Sequence, residues 1–326
     1  MHRRFLLAAP FLAPAARAQP GFPDRPLLLV VPFSAGSVND LLGRLLANAA
    51  AAPLGQSITV ENRPGAGGSL GIQQVARSKP DGLTLAFVSA STIPINRALF
   101  RNLAYDPQRD LAPVVIAAST PNALVVPGNS PFQTMAAFIT EGRARGRDPG
   151  QQPLRYFSPG NGTTQHLSAV QVVNATGIRA EHIPYRGPSE GLTGLLSNEI
   201  EWGFAAVPST VPLVREGRLR VLGVTGTTSP PTLPEVKTFA ALGLPGFEET
   251  NVWYGISAPA GTPPAALATL RRAFRTALDD AAFARRLADA GFYPTAPMDG
   301  AAMEGFIARQ VDFWAGLVRA SGATVD

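Results

Sequence analysis

The chain has 326 residues, 45% of them hydrophobic, with a formal charge of +5 and no cysteine. Without cysteine there is no disulfide, no thiolate nucleophile and no zinc–thiolate site, so an exported protein of this sequence stands on its apolar core. The charge comes from scattered arginines, and no basic run is interleaved with aromatics, which argues against a nucleic-acid partner.

Residues 1–18 read as a signal peptide. His2-Arg3-Arg4 form a basic start, residues 5–15 an apolar stretch, and Ala16-Arg17-Ala18 a cleavage pattern that leaves Gln19 first. The apolar stretch is shorter than the ~20 residues of a membrane span, and Pro10 and Pro14 interrupt it. Export to the periplasm is expected, by the general or the twin-arginine route. Losing the three arginines takes Lys plus Arg from 28 to 25 against 23 acids, a mature charge near +2. About 300 residues then remain, enough for two domains or one large one.

Strand-like and helical segments alternate along this length. An apolar strand over 27–31 is followed by Pro32-Phe33-Ser34-Ala35-Gly36-Ser37-Val38-Asn39-Asp40 and a helix over 39–52. That order aims the free N–H groups of a helix start at whatever lies beyond the strand, a site suited to an anion. A strand at 57–61 leads to Gly65-Ala66-Gly67-Gly68-Ser69-Leu70-Gly71 and a helix at 70–78. The segment contains G-x-S-x-G, the nucleophile pattern of hydrolases, but Asn62, Arg63 and Pro64 intervene and deny Ser69 a tight elbow. Leu70 likewise stands where a nucleotide-binding loop needs its third glycine. The glycines read more simply as a tight loop.

Next come a strand at 84–88, the hydroxyl-rich Ser89-Ala90-Ser91-Thr92 and a helix at 94–99. Strands at 114–118 and 123–126 precede a helix at 134–145. A strand at 155–157 runs into Ser158-Pro159-Gly160-Asn161-Gly162-Thr163-Thr164-Gln165-His166, with a helix from 164 to 176. This repeats the first loop's logic: Thr163 or Thr164 caps the helix, and both offer hydroxyls to a carboxylate. A strand at 181–184 ends in Tyr185-Arg186-Gly187 before a helix at 190–197, and Arg186 could meet a carboxylate bidentately. A strand at 200–205 ends in Ala205-Ala206 before a helix at 207–216. Strands at 220–225 and 252–258 and helices at 263–279, 281–290 and 301–320 complete the chain.

Strands joined through helices argue for parallel α/β sheets. The apolar strands near 114–126 and 252–258 bracket a middle block, as in a chain that crosses to a second domain and returns. The small-residue loops all fall at the C-terminal ends of strands, where open α/β sheets bind ligands. Few residues there do acid–base chemistry. No metal-ligand spacing and no cofactor motif is present, and no catalytic residue is expected.

Several segments together resemble one family. Phe22-Pro23-Asp24-Arg25-Pro26, Val31-Pro32-Phe33, Glu61-Asn62-Arg63-Pro64-Gly65-Ala66-Gly67-Gly68, Tyr105-Asp106-Pro107, Pro159-Gly160-Asn161-Gly162, Pro184-Tyr185-Arg186-Gly187 and Ala258-Pro259-Ala260-Gly261-Thr262-Pro263 occur in order. The set resembles the Bug family, the extracytoplasmic binding proteins of tripartite tricarboxylate transporters, across nearly the whole mature chain. The resemblance implies a two-domain periplasmic-binding-protein-like fold of type II, with two crossover strands as hinge and the ligand in the interdomain cleft. The implied boundaries are 19–120 plus 252–326 for one domain and 121–251 for the other. The implied function is capture of a small carboxylate and its presentation to membrane transporter subunits by a monomer, without chemistry. A serine hydrolase using Ser69, or a sensor working with a signalling receptor, stays open as an alternative.

Carried over, the ligand-binding positions are Phe33, Ser34, Ala35, Gly36 and Ser37; Ser89, Ser91 and Thr92; Asn161, Gly162, Thr163, Thr164 and His166; Tyr185, Arg186 and Gly187; and Ala205. Two departures bear on the ligand. Ser37 and Val38 replace the glycine- and proline-rich part of the family's first loop, which reshapes that wall. Ala205 and Ala206 stand where many members carry an acid, which points to a ligand without an amino group.

Overall fold

Leu29, Val30 and Val31 are all fully buried, as an apolar run in a sheet covered on both faces must be. They form the centre of β1 (Leu27–Val31) in the computed structural model, which describes residues 21–324. The expected signal peptide lies outside the described residues. From β1 the chain continues through α1 (Val38–Leu54), β2 (Ile58–Asn62), α2 (Ser69–Ala76), β3 (Thr84–Ser89), a π-helical turn at Ser91–Ile95, α3 (Asn96–Leu99) and β4 (Leu111–Thr120). One residue, Pro121, separates β4 from β5 (Asn122–Pro127). Then follow α4 (Met135–Arg147), β6 (Leu154–Ser158), α5 (Thr164–Thr176), β7 (Ala180–Pro184), α6 (Pro188–Leu196), β8 (Trp202–Ala206), α7 (Val207–Arg215) and β9 (Leu219–Val224). After a long connection come β10 (Val252–Pro259), α8 (Pro264–Asp279), α9 (Ala281–Asp289), β11 (Tyr293–Pro294) and α10 (Gly300–Ser321).

Two sheets result. The first has the order β11-β4-β10-β3-β1-β2 and the second β7-β6-β8-β5-β9. Helices cover both faces of each. In the first sheet, Leu29, Phe87 and Ile256 pack with Leu46 of α1 and Phe274 of α8, while Val30, Val88 and Trp253 pack with Ile72 of α2 and Trp314 of α10. In the second, Leu124, Trp202 and Phe204 meet Phe138 of α4 and Val172 of α5, and Val125, Phe157 and Ala205 meet Leu195 of α6 and Val211 of α7. Among the described residues no helix is long and apolar enough to cross a membrane.

The sheets are mixed rather than parallel. β1 pairs parallel with β2 and β3, and β6 with β7 and β8. β10 is antiparallel to β3 and β4, and β5 is antiparallel to β8 and β9. The short β11 is also antiparallel to β4, at the sheet's edge. The other two exceptions have one cause. β5 and β10 are the first strands after the chain changes sheets, so each is inserted from the crossover side and not delivered by a right-handed helical connection.

Candidate functional site

The order of elements brings helix starts together. A cavity of about 480 Å³ is lined by the first turns of α1, α5, α6 and α7, by Ser89 and Ser91 after β3, and by Val252 and Tyr254 of β10. Both sheets contribute walls, so the cavity lies between them.

The β1–α1 wall holds Phe33, Ser34, Ala35, Gly36 and Ser37, together with Val38 and Asn39. Ser37 is the N-cap, and its Oγ accepts the Asp40 N–H at 3.3 Å. Asp40 reaches back, its Oδ2 accepting the Gly36 N–H at 2.9 Å. Its other oxygen accepts from Asn62 Nδ2 at 2.9 Å and pairs with Arg44 at 3.0 Å. Burial pushes this carboxyl up, but the hydrogen bonds from Arg44, the Gly36 N–H and Asn62 outweigh it and hold it below the ordinary carboxylate range.

The β6–α5 wall holds Pro159, Thr163, Thr164 and Gln165. Thr163 is the N-cap: its Oγ1 accepts the His166 N–H at 3.2 Å and donates to the Gly160 carbonyl at 2.8 Å. Thr164 Oγ1 donates to Gln165 Oε1 at 3.1 Å. Both hydroxyls therefore spend their donors within the loop. What α5 turns outward is the pair of N–H groups on Thr164 and Gln165, which have no partner inside the helix. Across from them, Ser89 is 1% exposed, and its Oγ has no hydrogen-bond partner among the described residues.

Arg186 and Gly187 also line the cavity, joined by Pro188, Ser189 and Glu190 of α6 and by Ala206 and Ser209 at α7. Glu190 Oε2 accepts the Arg186 N–H at 2.9 Å. Glu190 thus supplies an acid that Ala205 and Ala206 lack, and the absence of an acid there does not by itself exclude an amino group.

Six expected positions do not line the cavity. Thr92 is fully buried, with its hydroxyl accepting the Ser89 N–H at 2.9 Å, so it shapes the loop that carries Ser89. Asn161 is exposed at the loop tip. Gly162 (φ +72°) is pressed against α3, where an added Cβ would meet Leu99 Cδ2 at 2.2 Å. Ala205 is fully buried, because strand alternation turns it into the core and leaves Ala206 at the cavity. Tyr185 packs over Gly194, and its hydroxyl has no partner among the described residues.

His166, the sixth, lies under the α5 start. Its ring stacks on His182 with centroids 4.1 Å apart, and His182 stacks in turn on Tyr156 at 4.9 Å. His166 Nδ1 accepts the Gly162 N–H at 3.2 Å, and His182 Nε2 lies 2.7 Å from Ser158 Oγ. Burial, reinforced for His166 by the neighbouring His182, pushes both imidazoles down to about 4, so they are neutral near pH 7. Ser69, the alternative nucleophile, opens α2 seven residues after the end of β2. The hydrogen bonds found for His166 and His182 go elsewhere, to the Pro159–Thr164 loop and its supports.

The family model described as "Tripartite tricarboxylate transporter family receptor" matches residues 42–323. The chain belongs to this family. Its members are periplasmic solute-binding proteins and not enzymes, which leaves the Ser69 reading without support. The receptor is 31% identical over 328 residues to Protein BugT of Bordetella pertussis, covering 99% of this chain and 98% of that one. Two solved structures extend the likeness. "R. palustris Rpa4515 with adipate" has a TM-score of 0.85 at 29% identity, over 93% of this chain and 100% of that chain. MatC (Rpa3494) from Rhodopseudomonas palustris with bound malate has a TM-score of 0.80 at 29% identity, over 91% and 100%. The two-domain type II architecture expected for the receptor is the one these relatives share.

Proposed function

We propose that this receptor captures a small organic carboxylate between its two domains and presents it to the membrane subunits of a tripartite tricarboxylate-type transporter. The observation that carries the reading is the meeting, in one cavity, of the open α5 N-terminus with the Ser89 Oγ, which has no partner among the described residues. A helix start with free N–H groups favours an anion, and a hydroxyl on the opposite domain gives the anion a reason to draw the domains together. The malate- and adipate-bound relatives support the choice of a carboxylate.

On this reading the domains are residues 19–120 with 252–326 and residues 121–251, and the strands beside the two crossings form the hinge. The ligand-binding residues are Phe33 to Ser37, Ser89, Ser91, Thr163, Thr164, Arg186 and Gly187, with Gln165, Ala206 and Ser209 added. Thr92, Gly162, His166, Tyr185 and Ala205 support them from behind, and Asn161 stands at the exposed tip of its loop. The mature receptor begins at Gln19 after cleavage at Ala18 and acts as a monomer in the periplasm.

Native mass spectrometry of protein purified without refolding should show a bound organic acid. Calorimetry should show carboxylates binding and their uncharged amides inert. If amides bind as well as acids, the anion site is not where the ligand sits.

A further inference from the structure

The cavity carries charge of both signs, and most of it is already compensated. Four helix N-termini face it, each equivalent to roughly half a positive charge. α1 has Asp40 in its first turn and α6 has Glu190. α6 begins with Pro188, which has no N–H to give. α7 loses one donor to Pro208, and its Val207 N–H is bonded to the Pro121 carbonyl at 3.1 Å. α5 alone of the four has neither an acid nor a proline in its first turn. It faces the buried Ser89 Oγ, which lacks a partner among the described residues. Among the described residues Arg186 is the one cationic side chain on the wall, and Glu190, four residues on, accepts its backbone N–H. The remaining wall is mostly apolar, with Ala35, Val38, Pro188, Ala206 and Val252 prominent, and is dotted with the side chains of Ser34, Asn39, Ser91, Ser189 and Ser209.

We infer that the cleft takes a ligand with a single carboxylate on an uncharged, apolar body, and that Glu190 is the specificity residue that turns a second carboxylate away. The inference rests on the carboxylate reading above and narrows it. One anion satisfies the α5 amides and Ser89. A second would have to desolvate against a mostly apolar wall, where the opposite charges of Arg186 and Glu190 sum to zero. A terminal ammonium meets the same balanced pair, and the serine hydroxyls of the wall replace only part of its hydration.

The test uses three six-carbon probes that differ only at the far end: hexanoate, adipate and 6-aminohexanoate. 3-Phenylpropanoate and 3-(4-carboxyphenyl)propanoate form an aromatic pair built on the same principle. Titration calorimetry of the whole mature receptor should give the monoanion in at least one series binding roughly tenfold or more tightly than its doubly charged or zwitterionic partner. Glu190→Gln keeps an amide oxygen for the Arg186 N–H and removes the charge. It should narrow the monoacid-to-diacid ratio by about fivefold, mainly by improving the diacid. Adipate or 6-aminohexanoate binding more tightly than hexanoate, with the aromatic pair ordered the same way, overturns the inference and leaves carboxylate binding intact. A ratio unmoved by Glu190→Gln overturns the role of Glu190. Failure of every probe to bind overturns the carboxylate reading itself.

Discussion

The β1–α1 and β6–α5 loops are built on one plan and end with different charges. Each has a left-handed glycine just before the cap, Gly36 at φ +75° and Gly162 at φ +72°. Each has a hydroxyl cap, Ser37 or Thr163, that accepts the N–H three residues on. In each, the side chain of that third residue reaches back to the glycine N–H. In α1 it is the Asp40 carboxylate, and in α5 it is the neutral His166 ring. The backbone device is indifferent to charge, but the electrostatics are not. α1 brings its own anion to its N-terminus, and α5 brings a neutral ring.

Making the two loops alike is the strongest way to break this contrast. His166→Asp keeps a reciprocal cap and puts a carboxylate under the α5 start. Repulsion of about 2–4 kcal/mol at an effective dielectric near 20 should weaken carboxylate binding roughly 30- to 1000-fold by calorimetry. Unchanged affinity would mean that α5 does not hold the anion. Gly162→Ala attacks the contact between the same loop and α3. Its Cβ would overlap Leu99 in a left-handed conformation, so urea unfolding should report a loss of about 2–4 kcal/mol. Leu99→Ala in the same chain should return part of it.

pH offers a milder probe. Both imidazoles have folded values depressed from 6.5 to about 4, so between those values the unfolded chain binds more protons than the folded one. Their contribution to stability is complete above pH 6.5 and is lost as pH falls toward 4. Melting temperature should decline across that window, and a flat profile would show that the stacked rings already carry charge in the native state. The smallest effect is expected from Ser89→Ala. The hydroxyl has no partner among the described residues to lose, so stability should hold within about 0.5 kcal/mol, while carboxylate affinity drops by several-fold.

Much of this arrangement was legible in the chain. The helix expected at 39–52 is Val38–Leu54, the one at 164–176 is Thr164–Thr176, and their caps are the hydroxyl residues that local chemistry requires. Strand direction was not legible, because β5 and β10 look as apolar as their parallel neighbours and only the crossover reverses them. The two-residue β11 gave no periodicity to read. The expected loops line the cavity, but the atoms they present there differ from those expected. Thr163 and Thr164 read as hydroxyl donors, yet those donors are consumed by Gly160 and Gln165. Ala205 is the expected position and Ala206 the one at the cavity, because a strand's last residue alternates face with the one before it. Glu190 left a signal, since an acid at the third position of a proline-led helix start lies beside that start. Gln165, Ser209 and Tyr254 left none that separates them from ordinary helix or core residues.

Asn122 stands where the chain first crosses between sheets, and every polar group it owns is engaged. Its backbone exchanges bonds with Thr225, its amide nitrogen donates to the Thr250 carbonyl beside the return crossing, and its amide oxygen accepts from Gln165 at the start of α5. All of these partners lie on the 121–251 side of the two crossings, so the amide fastens the start of α5 to the strand ends about which the domains would swing. The consequence is one of leverage. A small turn at the crossings should carry the α5 donors toward or away from Ser89 without loosening the loop that aims them.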